Sequence, residues 1–335
     1  MKKYSIKDIA ELSGVSVATV SRVINDNGRF SEETRKRVLK IIEETGYKMN
    51  YNAKSLRMNK SFTIGILVPD ISNYFFSHVV QKIEEILFEK GYTSIICNTA
   101  RNEKKEKAYL QILQGKGVDG LIVISGVEEF SFDEYQSEKK IPYICIDREP
   151  KNKDHTIFIS SNHYQGAFEA TEELIKSGCN HPVIALYKRI STSSKERFKG
   201  FKDALKKNNF TFVFDENTIV FDNSIPFENK LKHFLKANPI TDGIFSINDT
   251  IALELIIHLS HLNKKIPEQI KIIGFDDTSY ARYSNPPLSS VHQNTEKIAN
   301  SAVENLLGLI DKPSKIGKTI IIPVSLILRG SSKVK

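Results

Sequence analysis

Apolar residues recur every three or four positions in the first 50 residues, then give way at residue 62 to apolar runs of strand length. The helical spacing predicts three short helices. Ser5 caps the first, Asp8 completes a capping box, and Ile6, Ile9, Ala10 and Leu12 form its stripe before Gly14 stops it. Ser16 caps the second, which runs to about Asn25. "SEETRKRVLKIIEETG" supplies the third, with Ser31 as cap, Val38, Leu39, Ile41 and Ile42 as buried stripe and Gly46 as stop. Residues 50–61 have linker composition, with Leu56 the one large aliphatic residue.

From Phe62 onward apolar runs alternate with amphipathic helices. The runs are "TIGILVPD", "TSIICNT", "DGLIVIS", "IPYICID", "TIFIS", "HPVIALY", "TIVF", "DGIFSIN" and "IKIIGFDD". Continuous apolar strands between helices indicate parallel sheets covered on both faces. The strands are too many for one compact sheet, so the fold class is an all-α headpiece followed by an α/β body of two doubly wound parallel-sheet subdomains. The expected boundaries are a helix-turn-helix domain over 1–50 and a hinge and linker over 51–61. The body follows over 62–335, its N-subdomain near 62–160 and 292–322 and its C-subdomain near 161–291 and 323–335.

Charge separates the two parts. Residues 1–60 hold 13 Lys/Arg against 7 Asp/Glu, which takes +6 of the net +8 and leaves the body nearly neutral. A basic end on a neutral body points to nucleic acid. Cys97, Cys145 and Cys179 lie far apart with no C-x-x-C spacing, which opposes a disulfide framework or thiolate metal site and fits a reducing cytoplasm. No apolar run reaches the ~18 residues of a membrane span, and no secretory h-region opens the chain.

On a helix over residues 16–25, Val20, Val23 and Ile24 share one side, while Val17, Ala18, Ser21, Arg22 and Asn25 share the other. A helix in the major groove needs this division. Short side chains admit the backbone to base edges, Val17 or Ala18 meets a thymine methyl, and Arg22 reaches guanine O6 and N7 in bidentate fashion. Ser16, Thr19, Ser21 and Asn25 then hold phosphates and fix register, with Ser5 on the same DNA-facing list. The bland alternative is an exposed polar helix.

"SIKDIAELSGVSVATVSRVINDNGRFSEETRKRVLKIIEETGY" resembles the headpiece of the lactose-repressor (LacI/GalR) family of bacterial transcription regulators, and weaker likeness extends over nearly the whole chain. The resemblance implies operator binding by a homodimer, with a short hinge helix entering the minor groove. "NYNAKSLRMNKS" is similar to that hinge, with Ala53 and Leu56 at matching positions. So short a helix does not persist alone in water, where stable isolated helices need roughly 12–15 residues. Leu56 either wedges between base steps or docks on the core.

Open α/β sheets bind ligands beyond the carboxyl ends of their strands. Asp70, Asp147 with Arg148, Asn248 and Asp276 stand at such ends. Each also suits a helix cap, and Asp249 offers a cap that frees Asn248 for the cleft. The resemblance implies a periplasmic-binding-protein-like body whose effector ring takes in Asp70, Phe75, Phe76, Ser125, Arg148, Arg197, Phe221, Asn248, Asp276 and Gln293. Ser161 departs from the Asp that many sugar-responsive relatives carry. Arg148 with Lys188 and Arg189 reads equally as a phosphate receiver or as surface charge, so sugar and sugar phosphate both stay open as effectors. A phosphorylated carrier protein is the alternative signal implied by the family's catabolite regulators. An enzyme is disfavoured: no G-x-G-x-x-G, P-loop or G-x-S-x-G motif is present. Nor do the eight histidines show metal-ligand pairing, His258 and His261 being three apart on an apolar helix, so neither cofactor nor metal is expected.

Overall fold

The computed structural model describes residues 4–48, 60–126, 129–132, 140–189, 191–222, 224–312 and 317–333. The chain divides into two units, residues 1–61 and 62–335.

The first unit contains helices α1 (Ile6–Ser13), α2 (Val17–Ile24) and α3 (Glu32–Thr45). Local chemistry sets their ends. The Ser5 hydroxyl accepts from the Asp8 amide at 3.4 Å, while Asp8 Oδ2 accepts from the Ser5 amide at 2.6 Å. Ser16 and Ser31 cap α2 and α3 in the same way. Gly14 and Gly46 end α1 and α3 in the left-handed conformation that glycine adopts without cost. Ile9, Ala10, Val20, Val23 and Val38 form the small core. Two expected core residues lie outside it, Leu12 and Leu39. On α1 the residue four on from Ile9 is Ser13, which is buried because its hydroxyl donates to the Ile9 carbonyl at 2.6 Å. On α3 the buried face follows Val38 to Ile41 and Ile42, about a quarter turn from Leu39.

The second unit begins with β1 (Thr63–Val68), α4 (Tyr74–Glu89), β2 (Thr93–Asn98) and α5 (Glu103–Gly115). β3 (Gly120–Ile124), β4 (Tyr143–Ile146) and β5 (Ile157–Ser161) complete this pass through the first lobe. The chain then enters a second lobe through α6 (His163–Lys176), β6 (Pro182–Tyr187), α7 (Thr192–Lys207), β7 (Thr218–Phe221) and α8 (Phe227–Ala237). β8 (Gly243–Ser246), α9 (Asp249–His261), β9 (Lys271–Asp276) and β10 (Ser289–Gln293) follow. α10 (Thr295–Asp311) and β11 (Lys318–Ile322) return to the first lobe, and β12 (Val324–Ile327) ends in the second.

The sheets run β11-β5-β4-β3-β1-β2 and β12-β10-β9-β8-β6-β7. All pairings are parallel except β10 with β12. The interiors of β1, β3, β4, β6, β8 and β9 are buried, as strands covered on both faces must be. Strands β10, β11 and β12 fall outside the runs read from the sequence. β10, "SSVHQ", has one aliphatic residue; its serines are buried because Ser289 and Ser290 find hydrogen-bond partners in Ser332 and Asp249. β11 and β12 are edge strands with half-exposed faces. The body crosses between lobes after Ser161, Gln293 and Ile322. Ser161 thus belongs to the first sheet and His292 and Gln293 to the second, whereas the sequence boundaries assign them the other way.

Strand order reverses between β1 and β3 in one lobe and between β6 and β8 in the other. The loops at these switch points face a common cleft, where open α/β sheets receive ligands.

Candidate functional site

In the headpiece unit, α2 buries Val20 and Val23 and leaves Ala18, Arg22 and Asn25 exposed, with Val17 and Ser21 half-buried. The Ser16 hydroxyl accepts from the Thr19 amide at 3.1 Å and lies 2.9 Å from the Thr19 hydroxyl, so both residues order the helix start. Asn25 donates to the Ser21 carbonyl at 2.6 Å. Ser5 is exposed, its hydroxyl and amide both engaged with Asp8 in the capping box. Among the described residues the Arg22 guanidinium has no carboxylate partner. Its stem lies over Gly28, where a built Cβ would stand 3.3 Å from Arg22 Cδ. Gly28 has φ +99°, so the loop after α2 uses glycine both to turn and to make room for that arginine. Ala53 and Leu56 lie outside the described residues.

In the body, a cavity of ≈ 580 Å³, counting its open mouth, lies between the lobes. Among the expected residues it collects Phe75, Phe76, Ser125, Arg197, Asn248 and Asp276. Four lining residues hold the backbone at positive φ at or shortly past their strands: Arg101 (+54°), Ser125 (+48°), Asp147 (+52°) and Asp276 (+114°). Non-glycine residues avoid this region, and its clustering at a cleft is typical of sites where direction outweighs local comfort.

Arg197 sits at the inner end, 6% exposed. Nη1 donates to the Ile247 carbonyl at 2.5 Å and Nη2 lies 3.4 Å from Asp276 Oδ1. The guanidinium carbon stands 3.6 Å over the Phe275 ring. Its Nε and Nη2 reach His163 Nδ1, and His163 Nε2 lies 2.8 Å from Asp147 Oδ1, which also accepts from the Ser160 hydroxyl. Asp147 ends β4 in the first lobe, whereas His163 and Arg197 lie on α6 and α7 of the second. The chain of bonds therefore spans the cleft floor. Burial pushes Asp147 up, yet His163, Ser160 and Arg197 together outweigh it and hold its carboxyl below the ordinary value. Burial, against the pull of Asp147, lowers His163. Asp276 is pushed up to about 6, chiefly by burial, despite Arg197 and the 2.7 Å bond from Gln293. Asp249 behind it is pushed up to about 7 by burial and by the neighbouring Asp276. Among the described residues, Gln293 Oε1 and Ser161 Oγ find no hydrogen-bond partner, although both are buried.

Five expected ring residues stand elsewhere or act otherwise. Arg148 turns away from the cavity to pair with Glu106 at 2.7 Å, its guanidinium over Phe130. Asp70 closes its own loop, accepting from the Ser72 amide and hydroxyl at 3.0 and 2.6 Å. Phe221 stacks flat on Phe227 at 3.8 Å, because α8 folds back over the end of β7. Asn248 lines the cavity but is itself the cap of α9, accepting from the Ile251 amide at 3.0 Å. Asp249, the expected cap, is buried and accepts from Thr278 and Ser290 instead. Gln293 lines a second, adjoining cavity and reaches the first through Asp276.

Asp147 and Arg189, singled out from the sequence beside the ring, also line the cavity, and Arg101, Tyr187 and the serines at the start of α7 line it without having been expected. Arg101 and Arg189 follow β2 and β6, the same strand-end position that singled out the others. His163, directly after the Asn162 cap of α6, carried no sequence signal.

Comparison with known proteins adds an independent finding. Residues 5–50 match the bacterial regulatory proteins of the lacI family, and residues 171–332 a periplasmic binding protein-like domain. The chain is 35% identical to the sucrose operon repressor of Streptococcus mutans, covering 98% of each chain. It is 33% identical to the HTH-type transcriptional repressor PurR of Vibrio vulnificus, again over 98% of each. A periplasmic binding protein/LacI transcriptional regulator from Alkaliphilus metalliredigens, solved with D-xylulofuranose, superposes with a TM-score of 0.71. It is 30% identical and covers 81% of this chain and 99% of its own.

Proposed function

Because the chain belongs to the lacI family of bacterial regulatory proteins, we propose that it is a transcriptional repressor whose hold on an operator is set by a small polyhydroxylated effector between the body's lobes. It is a regulator and not an enzyme, as its named relatives are repressors. The observation that carries the reading is the division of α2, with Val20 and Val23 inside and Ala18, Arg22 and Asn25 outside on a helix capped by Ser16. That is the geometry of a recognition helix.

A homodimer places two such helices on a pseudo-palindromic site in the cytoplasm, and Ala53 and Leu56 in the hinge engage the minor groove. In the cleft, Arg197, Asn248 and Asp276 offer directional donors and acceptors, and Phe75, Phe76 and Tyr187 offer faces for a ring. A sugar-class effector is supported by the D-xylulofuranose in the Alkaliphilus relative. Because Asp147 belongs to one lobe and Arg197 to the other, ligand contact with either alters how the lobes meet. Coupling of roughly 1–3 kcal/mol changes operator occupancy about 5–150-fold.

A gel-shift across the native promoter, with and without a panel of sugars, tests this. A protected site whose occupancy changes with one of them is expected; no protected site under any condition refutes it. If purified phosphorylated carrier protein changes occupancy and no sugar does, the signal is protein-borne and the cleft is not the effector site.

A further inference from the structure

We infer that the outer end of the cleft is a phosphoryl-binding subsite, so that the effector is a phosphorylated sugar or polyol; this rests on the cleft being the effector site. The two ends of the cavity differ in charge balance. At the inner end the one cation, Arg197, lies against Asp276 and near Asp147, whose carboxylate is also hydrogen-bonded by Ser160 and the neutral His163. At the outer end stand Arg101, from the first lobe, and Arg189, from the second. Neither has a carboxylate partner among the described residues. Arg189 Nη2 donates to the Arg101 carbonyl at 2.7 Å, which brings the two residues together across the cleft. Burial first, and then the nearby Arg189 charge, lowers the basicity of Arg101 against the pull of the Asp70 carboxylate, which is turned to Ser72 in its own loop. Two adjacent cations lining a cavity, neither in an ion pair among the described residues, make a receptor for an anion.

The remaining groups fit phosphate better than carboxylate. Ser191 caps the 16-residue helix α7, and its hydroxyl lies 2.9 Å from those of Ser193 and Ser194, all three lining the same cavity. Two guanidinium forks, a cluster of hydroxyls and a helix start approach from different sides, as the oxygens of a tetrahedral dianion require. A carboxylate fills one fork and leaves the other uncompensated. Lys188 and Arg148 take no part: the first lies beside Asp222 and the second beside Glu106. A phosphoryl group seated here leaves its sugar pointing inward to Asn248, Asp276 and Arg197.

Two titrations of the full chain test the subsite. In the first, inorganic phosphate is added against chloride of equal ionic strength while the thermal midpoint is followed. A saturable rise with phosphate alone is expected in the wild type and in Arg22→Ala, and not in Arg101→Gln/Arg189→Gln. In the second, calorimetry compares ribose with ribose 5-phosphate, glucose with glucose 6-phosphate, and glucuronate. Whichever pair binds should favour its phosphorylated member at least about tenfold, and the double variant should bring the two within about twofold. A phosphate response no larger than that of chloride, or one that survives in the double variant, overturns the subsite. If neutral sugars release operator DNA and phosphate is inert, the subsite fails while the repressor reading stands. If phosphate saturates and no sugar phosphate alters operator binding, the regulatory reading fails and the subsite stands.

Discussion

His163 Nδ1 accepts from both Nε and Nη2 of Arg197, at 3.3 and 3.2 Å. A guanidinium only donates, so Nδ1 carries no proton, and the proton of the neutral ring sits on Nε2, aimed at Asp147. The lowered pKa of His163 agrees with this tautomer. Arg197 is thereby held from behind and from both sides.

Arg197→Ala should abolish the effector response while leaving operator affinity within about twofold, since Arg197 is buried at the inner end of the body's cleft. Gel-shift titration with and without effector reads this directly; a normal response in the variant would remove Arg197 from the site.

Arg22→Ala should relax preference at one base pair of each half-site by roughly 1–3 kcal/mol, seen in selection from a randomised site. Lys7, exposed on α1, supplies charge without base readout, so Lys7→Ala should instead weaken all sequences alike and lower the salt slope by about 1. An unchanged selected sequence for the Arg22 variant would reduce that arginine to a phosphate contact.

Gly200 lies on α7 one turn after Arg197, where a built Cβ would come within 2.3 Å of the Tyr164 carbonyl on α6. Backbone cannot step aside as a side-chain tip can. Gly200→Ala should therefore lower stability by roughly 1–3 kcal/mol and weaken effector binding, because the separation it forces lies directly beneath the Arg197–His163 contact. Thermal unfolding and calorimetry together check it; an unaltered melt would show that the helices separate without penalty.

Asp249 and Asp276 are held at about 7 and about 6, well above the ordinary 3.8. Between about pH 4 and 7 the folded body retains protons that the unfolded chain has released. Their contribution to stability is thus fullest at low pH and is lost as pH rises through that window. His163, with its lowered pKa, contributes in the opposite sense. Comparing the melting midpoint of the wild type with Asp249→Asn from pH 5 to 7.5 isolates the acid: the variant should lose less stability over that rise. Parallel curves would contradict the assignment.

The sequence revealed most where structure is local. Ser5, Ser16 and Ser31 cap the helices they precede, and Gly46 ends the third, because each answers to neighbours within four residues. The strand-end rule found Asp276 and Asn248 for the same reason. It failed where the outcome depends on what a distant element supplies. Arg148 follows β4 as Arg101 follows β2, and Glu106 on α5, with the Phe130 ring, draws Arg148 away from the cleft. Phe221 is lost to Phe227 and gained back as Tyr187 on the adjacent strand. Asn248 and Asp249 exchange roles because Thr278 and Ser290, some thirty and forty residues on, give the carboxylate a buried home.

The three passages after Ser161, Gln293 and Ile322 mean that neither half of the body owns an unbroken stretch of sequence. Trimming from the C-terminal end strips β12 from the second half and then β11 from the first, while cutting away the body up to Ser161 leaves α10 and β11 of the first half attached to the second, so neither can be produced alone and whole by simple truncation. A single protease nick at one passage, by contrast, leaves two tethers in place.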